Sequence, residues 1–374
     1  MESVTWAQVL AWRMRRQFLD GPGEVPVLDV VRRLAGVQAQ VASSAELAIA
    51  VRGGPVSGGA VPHALWEERT LVKTWAMRGT LHLLPADQAP AYLALCATAR
   101  HWEKPSWIKV FGATPADLEA IAAAATAALS GGAALTRKEL VTAILEETGS
   151  EHLAEVLRSG WGTLLKPLAW WGVLCYGPSQ GTNVTFAAPE HTIPGWPRSS
   201  EGEGPPSVEE AARTVIHAYL GAHGPATAEA FDNWLTRKAS RKKELKGWFA
   251  AVADEFATVE VDGVPMYVTR EHLSELLETA PDRSVRLLGG FDQYVLGAGT
   301  GAAYLIPPER RSEVSLPAGW ISPVVLYEGR VAGVWKDVKG DIEITTFEDV
   351  PADPLKEATA RLKEATARLR EAMA

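Results

Sequence analysis

The sequence predicts a mainly helical α+β protein built from several small modules, and three observations lead to that prediction. Its length of 374 residues suggests two or three domains. Its composition, 47% hydrophobic and 22% charged, is typical of a folded protein with buried cores. Three successive segments also repeat one order of elements, in which two or three short helices precede two strands joined by a turn.

The first segment, residues 1–95, shows this order. An S-x-x-E capping box at Ser43 and Glu46 predicts the start of a helix near Ser44. The run LVKTWAMRGTLHLL predicts a hairpin with Arg78-Gly79 at its turn. The helices of this segment are predicted at 5–20, 26–34, 44–51 and 62–69.

The second and third segments, 96–194 and 207–280, repeat the plan on either side of a Pro, Gly and Ser-rich linker at 195–206. The hairpin of the second is VLCYGPSQGTNVTFAA. The hairpin of the third, ATVEVDGVPMYVT, has an Asp-Gly turn at 262–263. Their helices are predicted at 115–129, from 136 onward, 151–171, 207–222, 226–235 and 241–254.

Helices followed by a hairpin are the plan of a winged helix, so we expect three tandem winged-helix modules. Residues 281–350 contain strand-forming runs and predict a small β-rich, barrel-like domain. Residues 351–374 contain a near-duplicated KEATARL unit with charges spaced for i,i+4 pairing, which predicts a surface helix. Winged helices bind nucleic acid or other proteins, so the fold alone does not define the function.

Charge and cysteine content restrict the environment and the partners. The net charge of −8 argues mildly against a nucleic-acid partner, because phosphate neutralisation requires Lys and Arg. Positive charge is nevertheless concentrated near the N-terminus and in TRKASRKKELK. The chain has only two cysteines, which predicts no disulfides and a cytoplasmic location. It shows no signal-peptide pattern and no apolar run long enough to span a membrane. Its histidines are dispersed, so no metal site is predicted. Most of the 14 tryptophans should be core residues, with one or two exposed ones able to stack on bases.

Three stretches carry a resemblance to a known family: LAGVQAQVASSAELA, KTWAMRGTLHLLP, and GFDQYVLG together with SPVVLYEGRVAGVW. They resemble the winged-helix DNA glycosylase superfamily that includes AlkZ. Gln38-Ala39-Gln40 is similar to the Gln-x-Gln motif of the branch known for resistance to azinomycin B. The resemblance implies a C-shaped, cofactor-free, monomeric and nucleoid-associated enzyme with Gln38 and Gln40 as the catalytic pair. It would hydrolyse the N-glycosidic bond of alkylated guanine in double-stranded DNA, including interstrand crosslinks.

The local sequence is compatible with that role for the two glutamines. Residues i and i+2 point to different sides of a helix but share a face in extended chain. The predicted helix start near Ser44 leaves Gln38 and Gln40 in non-helical chain, before a helix N-terminus that favours a phosphate. A carboxamide is a poor base, so it can position water only for a leaving group that is already activated, such as cationic N7-alkylguanine. The motif contains no lysine, so no Schiff-base lyase step is predicted.

Other residues are predicted as DNA contacts or structural supports. Arg78 is a candidate phosphate contact and His82 a candidate DNA contact or orienting residue. Asp292 either braces the β-rich domain or takes part in catalysis. A nonspecific DNA patch is predicted at Arg237, Lys238, Arg241, Lys242, Lys243 and Lys246.

Two other functions remain compatible with the residues. A transcription regulator would use winged helices to read one operator, usually as a dimer on a palindrome. A drug-sequestering protein would bind a genotoxin directly. Release of a free base from N7-methylguanine-containing duplex distinguishes both from a glycosylase.

Overall fold

The computed structural model describes residues 2–21, 23–53, 59–159, 162–197 and 204–371. Part of the predicted linker at 195–206 and the last three residues of the predicted C-terminal segment lie outside these ranges. None of the described helices is long and apolar enough to cross a membrane.

Helices form most of the regular structure, and the predicted α+β class is confirmed. In chain order they are α1 (Trp6–Arg16), α2 (Val27–Arg33), α3 (Ala42–Ala50), α4 (Ala60–Trp66), α5 (Ala89–Thr98), α6 (Pro105–Phe111), α7 (Pro115–Ala128), α8 (Arg137–Thr148), α9 (Glu151–Ser159), α10 (Lys166–Trp170), α11 (Pro189–Thr192), α12 (Val208–His223), α13 (Ala228–Thr236), α14 (Lys242–Ala251), α15 (Leu273–Glu278), α16 (Gln293–Ala298), α17 (Arg311–Val314) and α18 (Ala352–Glu371).

The strands form small sheets. They are β1 (Glu2–Val4), β2 (Val37–Gln38), β3 (Leu71–Trp75), β4 (Leu81–Pro85), β5 (Ala134–Thr136), β6 (Cys175–Gln180), β7 (Asn183–Ala187), β8 (Phe256–Val261), β9 (Val264–Thr269), β10 (Val285–Leu288), β11 (Val324–Tyr327), β12 (Arg330–Val338) and β13 (Asp341–Thr346). The antiparallel hairpins β3–β4, β6–β7 and β8–β9 coincide with the three predicted wings.

The chain divides into two compact units. The first contains Met1–Val61, Val215–Lys238 and Lys242–Ala374, and the second contains Pro62–Thr214 and Ala239–Arg241. This division falls within the first predicted module: its first three predicted helices lie in the first unit, and its predicted helix at 62–69 lies with the hairpin in the second unit. The predicted sequential modules are therefore not the units in which the chain packs.

Helix starts follow side-chain capping where the sequence offers it. Capping boxes at Thr5, Thr114 and Thr136 begin α1, α7 and α8, the last as predicted. The predicted box at Ser43 and Glu46 is wrong, because α3 already begins at Ala42 and Val41 occupies its cap position without a side-chain hydrogen bond. Ser43 is thus inside the helix, where it cannot cap.

The second predicted module contains more elements than its pattern indicated. Helix α5, which overlaps the start of this module, and helix α6 come before its first predicted helix, both with proline in their first turn, where the missing N–H is tolerated. The single helix predicted over 151–171 is wrong: α9 ends at Ser159 and a separate short helix, α10, begins at Lys166. Pro167, at the start of α10, suits a new first turn better than a helix interior.

The predicted barrel is also wrong, because the described residues form an open four-stranded antiparallel sheet in the order β10-β11-β12-β13. Within the run VRLLGGFDQYVL only Val285–Leu288 is a strand. Asp292 then caps α16, its side chain accepting a hydrogen bond of 2.8 Å from the Tyr294 amide, so the chain leaves the sheet at this point. The C-terminal helix α18 buries Ala358 and Leu362 against the sheet residues Val285 and Leu287.

Candidate active site and DNA contacts

Gln38 and Gln40 lie in non-helical chain immediately before α3. Gln38 ends the two-residue strand β2, and Gln40 lies in the bend that leads to Ala42, the first residue of α3. The predicted non-helical conformation is therefore confirmed. Since Val41 provides no side-chain cap, the first-turn amides of α3 carry their partial positive charge beside this segment.

The two glutamines differ in exposure, contrary to the expectation that they share one face of an extended chain. The Gln38 side chain is 7% exposed and Ala39 is 2% exposed, whereas Gln40 is exposed. The bend at Gln40 breaks the two-residue alternation that an extended strand would maintain. Burial therefore fixes one carboxamide, while the other can reach a ligand on the surface.

The helix after the glutamines is held at its far end by a buried ion pair. Arg52 donates two hydrogen bonds to the Asp292 carboxylate, of 2.7 and 2.6 Å. It also donates to the Ala48 carbonyl of α3 at 2.8 Å. The side chains of Arg52 and Asp292 have no solvent exposure. Asp292 is thus a structural brace, and its carboxylate is not available to activate water.

Arg52 is the partner that the sequence did not reveal. Asp292 stands in a recognised motif, and a buried carboxylate requires a cation or several donors. The sequence signal for a buried ion pair was therefore an acidic residue in the apolar run GFDQYVLG. Its partner Arg52 lies 240 residues away. No local pattern identifies a partner at that distance.

In the second unit, Arg78 lies at the tip of the β3–β4 hairpin, as predicted. Its backbone is left-handed, with φ of 57°, and the side chain is half-buried. A Cβ atom at neighbouring Gly79 would lie 3.7 Å from Lys166 Nζ and from the Trp170 ring. Lys166 thus adds a second cation at this tip, one that the sequence analysis did not single out.

His82 is buried on strand β4. Its exposure is zero, and its Nδ1 lies 3.0 Å from the Thr80 carbonyl oxygen. Burial, reinforced by the positive charge of Arg78, lowers the pKa of His82 to about 3. The side chain is therefore neutral and enclosed near pH 7, and its predicted role as a DNA contact is wrong.

The basic run following α13 is exposed throughout, at Arg237, Lys238, Arg241, Lys242, Lys243 and Lys246. Arg241 belongs to the short segment assigned to the second unit. Arg237 and Lys238 form a left-handed turn with φ of 61° and 62°. The three lysines lie on α14, which buries its apolar side chains Leu245, Trp248 and Phe249. In a DNA-binding winged helix the third helix enters the groove, so a phosphate contact by the lysines of α14 stays a prediction.

Other basic residues have internal roles. Arg13 is 4% exposed and donates hydrogen bonds of 3.0 Å to the carbonyls of Gly224 and Pro225. Arg13 is therefore not available to DNA, so the N-terminal basic stretch offers fewer positive charges to DNA than its sequence indicates.

Within the described residues, no group of His, Cys, Asp and Glu is arranged to hold a metal ion. Burial raises the pKa of the two free thiols, Cys96 and Cys175, to about 12, which leaves both unreactive at neutral pH.

Comparison with known proteins identifies the class of enzyme. The structure is similar to that of the Streptomyces sahachiroi DNA glycosylase AlkZ, with a TM-score of 0.92 and 45% identity over 98% of this chain and 97% of that one. The chain is also 47% identical over 353 residues to an interstrand DNA cross-link repair glycosylase from Streptomyces sahachiroi, covering 94% of this chain and 93% of the relative. The fold is that of a DNA glycosylase, an enzyme acting on N-glycosyl bonds.

A sequence model of the AlkZ-like DNA glycosylases matches residues 31–372. The protein belongs to the AlkZ-like DNA glycosylase family. The resemblance carried by the three sequence stretches is thereby confirmed.

Proposed function

We propose that this protein hydrolyses the N-glycosidic bond of N7-alkylated guanine in double-stranded DNA, with Gln38 and Gln40 as its catalytic pair. Its substrates include bulky monoadducts and azinomycin-type interstrand crosslinks, and it acts as a monomer on nucleoid DNA in the cytoplasm. The observation that carries the proposal is the placement of a buried and an exposed glutamine in non-helical chain before the N-terminus of α3. The cross-link repair described for the relative supports the substrate class.

The reaction requires little acid–base strength from the protein. Alkylation at N7 places a positive charge on guanine, so the C1′–N9 bonding electrons neutralise the base as it leaves. Water then forms the new bond to C1′ of the oxocarbenium-like sugar and loses its proton to solvent, leaving an abasic site and a neutral 7-alkylguanine. A carboxamide oxygen accepts a hydrogen bond from this water without having to remove the proton in advance.

The different exposure of the glutamines suggests different tasks. The Gln40 carboxamide can reach the lesion and hold the attacking water. Gln38, with a side chain that is 7% exposed, provides a fixed dipole near the sugar, and a fixed dipole requires no reorganisation as charge develops. The N-terminus of α3 adds partial positive charge suited to the flanking phosphate.

Duplex binding involves the exposed cations of each unit. In the first unit these are Arg237, Lys238 and the lysines of α14. In the second they are Arg241, which is exposed, together with the half-buried Arg78 beside Lys166. Contacts of this kind reach phosphates and carry no base identity. We therefore expect lesion recognition to depend on the damaged base rather than on the surrounding sequence.

A panel of duplexes, each with one lesion, tests the reaction under single-turnover conditions, with alkali-sensitive abasic sites as the product. N7-methylguanine and N3-methyladenine should be released, because both are cationic leaving groups. Uracil and 8-oxoguanine should remain, and an undamaged duplex serves as the control. Uracil excision at a rate comparable to that of N7-methylguanine would contradict the mechanism. Failure to release any cationic base would contradict the function.

A further inference from the structure

Trp320 is the only exposed tryptophan among those whose side chains the structure describes. Its side chain is 52% exposed, although indole is a large apolar group and the other described tryptophans are buried or half-buried. Single exposed apolar residues are common on proteins. Trp320 differs from an ordinary exposed apolar residue because both its backbone turn and its ring are held in place.

The turn that carries Trp320 is closed by backbone hydrogen bonds. The Leu316 amide donates to the Trp320 carbonyl at 2.9 Å, and the Ser322 amide donates to the Val314 carbonyl at 2.9 Å. Ala318 and Gly319 adopt left-handed conformations, with φ of 59° and 76°. A tight turn of this kind presents a side chain at its end in a defined direction.

The ring itself rests on one aromatic neighbour. Trp320 and Phe291 form an edge-to-face pair with ring centroids 5.0 Å apart. Phe291 is 8% exposed and belongs to the core cluster of the first unit. One edge of the indole is thereby fixed while much of its surface remains open.

Contacts within the first unit connect this turn to the glutamine segment. Val41, the residue after Gln40, packs against the same core cluster that contains Phe291 and Ile321. A Cβ atom at Gly290 would lie 2.8 Å from the Ile321 carbonyl oxygen, so the two segments are in close contact.

Gly289, the residue before Gly290, contacts α3, the helix after the glutamines. A Cβ atom at Gly289 would lie 2.9 Å from the Leu47 side chain of α3. The Gly289-Gly290 segment therefore lies between α3 and the Trp320 turn, and at Gly290 a side chain would collide with the Ile321 backbone.

Two cations precede the turn along the chain. Arg310 and Arg311 are exposed; Arg310 pairs with Glu313 at 3.0 Å, and Arg311 donates a hydrogen bond of 3.1 Å to the Thr300 carbonyl. An aromatic ring on the same segment as a cation is a combination with which proteins bind a nucleobase and a phosphate.

We propose that Trp320 stacks on a nucleobase that is unstacked beside the lesion in the bound duplex, and holds it while the Gln38–Gln40 segment acts. This inference rests on the proposed function, because it assigns Trp320 to the same DNA site. Stacking on an aromatic ring tolerates any base, since every base has a π-face. Trp320 therefore contributes to affinity and to lesion positioning without imposing sequence preference.

The test compares Trp320→Leu, which keeps an apolar side chain without a π-face, with Trp320→Phe, which keeps the π-face. Trp320→Leu should weaken duplex binding or slow excision of N7-methylguanine about tenfold or more, and Trp320→Phe should stay within about threefold of the wild type. Val110→Ala, which removes a 71% exposed apolar side chain elsewhere, is the control and should change neither. Tm should be preserved in all three, because the turn is closed by its backbone.

A photochemical readout separates this inference from the proposed function. A duplex with 5-iodouracil next to a guanine at the lesion position should form a cross-link to Trp320 on irradiation, mapped by mass spectrometry and lost in Trp320→Leu. Full binding and excision by Trp320→Leu, or a cross-link that maps elsewhere, would overturn the stacking assignment even if the wild type excises normally. A wild type that cross-links through Trp320 but releases no cationic base would contradict only the function.

Discussion

Replacing Asp292 with Asn tests whether this residue braces the fold or takes part in the chemistry. Asparagine keeps the shape and can still accept the Tyr294 amide, but it removes the charge that faces Arg52. Both partners have no solvent exposure, and their two hydrogen bonds measure 2.7 and 2.6 Å. Because an unpaired guanidinium would remain buried, we expect the free energy of unfolding to fall by about 3–5 kcal/mol.

The assay is urea unfolding followed by circular dichroism, with base excision measured on the same samples. The matched control is Glu313→Gln, which breaks an exposed pair with Arg310 of 3.0 Å and should cost less than about 1 kcal/mol. Stability of Asp292→Asn equal to that of the control would refute the buried-pair argument. Loss of excision at unchanged stability would instead place Asp292 in the chemistry.

Three further predictions concern the glutamines, the basic surface and the buried histidine. Gln38→Ala and Gln40→Ala should each slow single-turnover excision about tenfold or more, roughly 1.4 kcal/mol, while retaining duplex binding; normal rates in both would end the catalytic assignment. Lys242→Gln with Lys243→Gln should flatten the log–log salt dependence of binding, which changes by about 0.9 per phosphate contact; an unchanged slope would remove α14 from the interface. Below pH 6.5 the unfolded chain protonates His82 but the folded chain does not until about pH 3, so His82 should lower stability by up to about 1.4 kcal/mol per pH unit as the pH falls from 6 to 5, and His82→Gln should show a correspondingly smaller slope.

Local signals in the sequence predicted much of the fold because they act within a few residues. The helix start predicted at 136, the Asp-Gly turn at 262–263 and the Arg78-Gly79 turn each follow from residues that specify a backbone geometry on their own. The hairpins and most helix positions follow from them. The predictions that failed depend on contacts between distant parts of the chain or on an unrecognised cap. Strand β1 pairs in parallel with β8, about 250 residues away. Helix α16 replaces a predicted strand because Asp292 caps it.

The candidate site was predicted only in part for the same reason. The motif and the bend before α3 are local, so Gln38 and Gln40 could be placed in non-helical chain. Burial is not local: the alternation of an extended strand predicted equal exposure, and the bend at Gln40 removed it. The partner of Asp292 and the enclosure of His82 likewise depend on residues that are brought together only by folding.

These corrections strengthen the chemical argument for a glycosylase that depends on its substrate. Asp292 is the titratable residue that the sequence offered as an alternative to the glutamines, and His82 is the one that it offered as a DNA contact or orienting residue. One is now paired with Arg52 and the other is neutral and buried. With both assigned to the fold, the proposed catalysis rests on carboxamides, which position water but hardly activate it. Such a site accelerates the release only of bases whose glycosidic bond the lesion has already weakened. The positive charge of N7-alkylguanine, more than the size of the adduct, should therefore determine which bases are excised.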